Sequence, residues 1–73
     1  MTGRQGSAMN PKHIEVWLDK TGDPDEPLWC VSLCEPEGDE IKCLSTHREK
    51  GDAIWAGTRA AASRGMHLQL MDN

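Results

Sequence analysis

The stretch from Thr46 to Leu70 reads as a helix with a marked start and stop, followed by a returning strand, and that order constrains the fold more than any other segment. Thr46 and Glu49 have the S/T-x-x-E spacing in which a hydroxyl and a carboxylate satisfy the free N–H groups of a first helical turn. Ala53, Gly57 and Ala60 then recur at helical intervals, Gly65 is a left-handed stop, and His67-Leu68-Gln69-Leu70 alternates as strands do. Gly51 conflicts with this start, since glycine inside a helix costs about 1 kcal/mol against alanine. Asp52 is therefore a second candidate for the cap.

On that helix Ala53, Ile54, Gly57, Ala60, Ala61 and Arg64 share one side, whereas Arg48, Asp52, Trp55, Arg59 and Ala62 fall on the other. The small-residue side admits a sheet at close range. Upstream, His13–Asp19 alternates with Ile14, Val16 and Leu18 on one face and His13, Glu15, Trp17 and Asp19 on the other. Leu28–Cys34 repeats the pattern, Trp29, Val31 and Leu33 against Cys30, Ser32 and Cys34. Gly22, Pro24 and Pro27 mark a loop over Lys20–Pro27, Glu35–Glu40 a turn, and Ile41–Ser45 a third strand. A symmetric, even-numbered turn places Val31 opposite Leu44 and Ser32 opposite Cys43, and a slip of one residue reverses the faces.

The expected fold is one α+β domain over residues 13–71, two layers in the order β-β-β-α-β, its helix covering one face of a mixed sheet. The helix crossover makes the last strand parallel to the first and third; pairing beside either is open. Met1–Lys12 has no periodicity and reads as a flexible leader, native or added, and residues 72–73 as a C-terminal end. A chain of 73 residues is one domain, burying only roughly 60% of the surface its unfolded form exposes. With no Phe or Tyr, Trp17, Trp29 and Trp55 must supply the bulky packing.

These residues resemble a family of short bacterial domains of unknown function, with a tryptophan in the second strand of a β-hairpin, a Thr-initiated alanine-rich helix and a final strand. The matching positions are Trp29 and Val31, Thr46, Ala53, Gly57 and Ala60, and Leu68 and Leu70, and the resemblance covers residues 13–71. The cap-to-first-alanine distance is seven residues here, where the family more often shows four, which adds a turn but returns to about the same helix face. The long Lys20–Pro27 loop is a second departure. The resemblance implies a fold and brings no active site.

Three cysteines, an odd number, with no apolar signal run and no stretch long enough to span a bilayer, imply reduced thiols and a cytoplasmic protein. Cys30, Cys34 and Cys43 share a sheet face with His13 and His67 in the expected register. Cys30 and Cys34, however, are four residues apart on an extended strand, roughly 13 Å, too far to chelate one zinc ion together. With no C-x₂-C pair, the expectation is no metal and no cofactor. A Cys43–His47 nucleophile pair lacks an orienting third group and a pocket, so no enzyme is expected. The acids of Asp23–Glu26 and Glu37–Glu40 lack calcium-loop spacing and read as solvated turns.

Net charge is −4, with nine acids against two lysines over His13–Ser45 and four basic against two acidic residues over Thr46–His67. The expected function is a small non-enzymatic interaction or regulatory module that binds a protein partner or itself, through Trp17, Ile41, Arg48, Trp55 and Arg59. Trp17 and Trp55 lie opposite the apolar stripes of their elements, each either a contact or a border of the core, and Arg59 stands four residues from Trp55. The sheet face with Trp17, Cys30, Ser32, Ile41, Cys43 and Gln69 reads as uncharged and open to a homodimer. Nucleic-acid binding through that face or the basic helix is the alternative, opposed by the acidic hairpins.

Overall fold

The computed structural model describes residues 11–71. Of the leader expected over Met1–Lys12, residues 1–10 lie outside the described residues, as does the C-terminal end at 72–73. The elements are β1 (His13–Asp19), β2 (Leu28–Cys34), β3 (Glu40–His47), α1 (Lys50–Arg64) and β4 (His67–Leu70), the expected β-β-β-α-β order. They form a four-stranded mixed sheet of order β3-β2-β1-β4 with the helix against one face. β1 pairs antiparallel with β2 and β2 with β3, whereas β4 is parallel to β1. The last strand thus lies beside the first, and α1 carries the chain across the sheet.

Strand alternation produces two faces. Ile14, Val16 and Val31 are fully buried under Ala53 and Ala61 of α1, with Trp29, Leu33, Leu44, Ile54, Ala60 and Leu68 packed around them. Gly57 lets the helix come this close: a Cβ there would stand 2.8 Å from Val16 Cγ2 and 3.0 Å from Leu68 Cδ1. Of the expected inward residues, Arg64 is exposed and its guanidinium turns back to donate to the Ala60 carbonyl at 3.2 Å. Leu70, expected in the core, is exposed on β4, a short strand at the edge of the sheet.

The helix stop is as expected and its start is not. Gly65 adopts a left-handed conformation at φ 66°, and the Met66 and Gly65 N–H groups donate back to Ala61 and Ala62, closing the free carbonyls. Thr46 belongs to β3 instead of capping α1: the ladder with β2 continues through Thr46 opposite Cys30 and His47 opposite Trp29, and it takes the backbone that a cap would use. Glu49 occupies the N-cap with no side-chain hydrogen bond, and Lys50 and Gly51 are helical, so Asp52 is a first-turn residue and no cap. Asp52 there is still favourable, an anion beside the positive end of the helix.

Register in the second hairpin is split. Ser32 faces Cys43 as expected, but irregularities between Val31 and Ser32 and between Leu33 and Cys34 pair Val31 with Ser45, not Leu44, and Cys34 with Glu40. The turn explains the second shift: Glu35 N–H donates to the Asp39 carbonyl and Gly38 N–H to that of Glu35, with Gly38 at φ 105°. Closing at Asp39 starts β3 at Glu40 and leaves Ile41 as the extra residue.

Candidate functional site

Two surfaces hold the chemistry-bearing side chains, one on each side of the molecule. On the outer side of α1, Trp55 is 65% exposed, the largest apolar side chain left in water among the described residues. The Arg59 guanidinium stacks on its ring at 4.8 Å from the centroid, as the i, i+4 spacing permits. Asp52 and Ala62 are exposed on the same side. Arg48 lies before the helix and pairs with Glu26 of the β1–β2 loop at 3.3 Å, both side chains well exposed. Of the expected contact residues, Trp55 and Arg59 are thus brought together.

Trp17 has a different role. It is half-buried, its indole N–H donates to Ser32 Oγ at 3.0 Å, and the Ser32 hydroxyl donates in turn to Glu40 Oε2 at 2.6 Å. Ser32, Cys30 and Cys34 are buried on the sheet face away from the helix. Ile41, by contrast, is exposed at the bulge.

The expectation of an uncharged open face is overturned, because the bulge brings Glu40 onto the face where Glu15 and Asp19 also stand. Asp19 Oδ2 lies 4.0 Å from Cys30 Sγ, while the Asp19 carboxylate accepts from the Thr21 hydroxyl at 2.6 Å and the Thr21 N–H at 2.9 Å. Those two donors hold the Asp19 carboxyl below its ordinary value. Burial, with Cys43 and Asp19 adding, pushes the Cys30 thiol up to about 11. Burial, with Glu15 and Glu40 adding, does the same to Cys34, also to about 11. At neutral pH both remain protonated and poorly nucleophilic.

At the β1–β2 end of this face the His13 ring and the Glu15 carboxylate meet at 2.7 Å. A carboxylate only accepts, so the His13 Nε2 carries the proton in this contact. The Cys34 thiol joins them: donor atoms of His13, Glu15 and Cys34 lie within 4.8 Å of one another. Sequence reasoning placed His13 and Cys34 on one face but weighed cysteine pairs, and so passed over Glu15. The signal was there, because His13 and Glu15 are two apart on a strand whose partner presents Cys34 directly opposite His13.

No helix among the described residues is long and apolar enough to cross a membrane. Comparison with protein-family models, with curated proteins and with solved structures found no match.

Proposed function

We propose that the chain is a small non-enzymatic interaction module, of the bacterial-domain type its residues resemble, that associates through the outer face of α1. The observation that carries this reading is the Trp55–Arg59 stack, 65% of Trp55 being exposed to water. Burying such a side chain stabilises a complex by about 1.5–3 kcal/mol, and Trp and Arg are the residue types that dominate interfaces. Stacking on Arg59 also orders the indole before contact, which lowers the entropy lost on binding.

A second copy of the chain is the partner this face fits. In a two-fold antiparallel helix pair centred between Trp55 and Ala56, Asp52 of each copy stands opposite Arg59 of the other, and the two indoles pack beside the axis. The contact is small, so the dimer forms and dissociates with concentration. The sheet face supports a dimer less well, since pairing it with itself sets Glu15, Asp19 and Glu40 of one copy against the same acids of the other. The same acids repel phosphate and weaken the nucleic-acid alternative.

Native mass spectrometry and sedimentation over a range of concentrations test this reading. The wild-type chain is expected to shift from monomer to dimer, and Trp55→Ala to remain monomeric while its unfolding free energy changes by less than about 1 kcal/mol. A wild-type monomer at every concentration, or a dimer that survives in Trp55→Ala, rejects the helix-face contact.

A further inference from the structure

We propose that His13, Glu15 and Cys34 form a binding site for a divalent transition cation of the zinc type, built across β1 and β2 on the sheet face opposite the helix. The site is independent of the helix-face contact and uses none of its residues. Three kinds of observation carry it: placement, burial and charge.

Placement comes from the ladder. His13 and Cys34 are direct cross-strand partners, and Glu15 follows His13 by two residues, which returns its side chain to the same face. Both strands have paired neighbours on each side at this end, β4 beside β1 and β3 beside β2, so the backbone positions of the three ligands are held. With metal–ligand bonds of about 2.0–2.3 Å, tetrahedral donors stand about 3.3–3.8 Å apart. The present spread, all within 4.8 Å, needs Cys34 to draw in by a rotamer adjustment and the 2.7 Å His13–Glu15 contact to open slightly.

Burial and charge agree with that geometry. His13 is 8% and Cys34 1% exposed, so folding has already removed most of the water that ligands shed on binding. A neutral imidazole, a carboxylate and a thiolate carry together two negative charges, which a divalent cation neutralises. In the present arrangement the Cys34 thiol lies against His13 and Glu15 and makes a long 3.9 Å contact to the Ser32 carbonyl. Mixed N, O and S donors select zinc-like ions over calcium or magnesium, and three protein ligands leave a fourth position for water.

On binding, Cys34 loses its S–H proton to solvent and forms the metal–sulfur bond, Glu15 exchanges its hydrogen bond for a metal–oxygen bond, and the His13 ring proton moves to the nitrogen that does not bind. No electron is transferred. The site can act as a clamp on β1 and β2 or hold an activated water; both begin with stoichiometric binding.

The experiment is a Co²⁺ titration of the reduced, metal-stripped full chain, followed by displacement with Zn²⁺. One equivalent is expected to raise a thiolate-to-cobalt charge-transfer band and tetrahedral visible bands. Both should persist in Cys30→Ser and Cys43→Ser, vanish in Cys34→Ser, and need at least about tenfold more metal in Glu15→Gln. Because Cys34→Ser alters a buried residue, histidine ring-nitrogen spectra of the wild type supply a second readout. Zn²⁺ should shift His13 and leave His47 and His67 in place. Absence of stoichiometric binding, a charge-transfer band surviving in folded Cys34→Ser, or a Zn²⁺ shift at His47 in place of His13 overturns the proposal.

Discussion

Ser32 has no exposed surface, and its hydroxyl holds two other side chains, accepting from Trp17 and donating to Glu40. Ser32→Ala removes both contacts, leaving the half-buried indole N–H without its acceptor. The expected cost is about 1–3 kcal/mol in urea unfolding, the range for a buried polar group stripped of its partner. Glu40→Gln keeps an acceptor for the Ser32 hydroxyl and should cost much less. At this scale the sequence was only partly legible. Alternation put Trp17, Ser32 and the cysteines on one face, but strand periodicity carries no information on whether an indole lies down over a sheet or stands into solvent. Here a single hydroxyl in reach of Nε1 decided it. Glu40 was less legible still, because the bulge that brings it onto this face depends on which residue closes the Glu35–Asp39 turn.

Among the elements, α1 provides the sharper test, through two glycines of opposite consequence. Gly57 faces the sheet where a Cβ would meet Val16 Cγ2 at 2.8 Å, and Val16 is β-branched and fully buried, so it cannot swing away. Overpacking of this kind costs about 1–3 kcal/mol, against about 1 kcal/mol gained from replacing a helical glycine. Gly57→Ala should therefore lower stability on balance, and Gly57→Val lower it further. At Gly51 an added Cβ would meet nothing within 4 Å, so Gly51→Ala should raise stability by about 0.5–1 kcal/mol. Thermal melts of the two alanine variants should move in opposite directions. The inward stripe was legible because it rests on the helical period alone. The helix start was not: Thr46 and Glu49 have the spacing of a cap, but the pairing of Thr46 and His47 with β2 is a tertiary contact, and it extends β3 over the residues that local pattern assigns to the helix start.

The whole molecule divides into a helix-covered apolar face and an acidic sheet face that holds buried thiols, and this division makes its stability depend on alkaline pH. The order of strands could be narrowed from the connections, since a crossover makes β4 parallel to β1 and β3, but choosing the β1 edge needed the helix to lie across the sheet. That choice is made by packing: Gly57 meets Val16 of β1 and Leu68 of β4 together. On the opposite face, folding buries Cys30 near Asp19 and Cys43 and raises its thiol from 9.0 to about 11. A group whose folded value is raised stabilises the fold fully below its unfolded value. Between about pH 9 and 11 the unfolded chain gives up this proton while the folded chain keeps it, so unfolding becomes easier as pH rises. Cys30→Ser replaces the titrating thiol with a hydroxyl that does not ionise and can still donate to Asp19. Urea midpoints measured with chelator present should therefore fall more steeply from about pH 9 to 11 in the wild type than in Cys30→Ser, every other ionisable group being common to both. Parallel profiles would mean that Cys30 ionises as freely in the folded chain as in the unfolded one, and that this face admits water to its thiols.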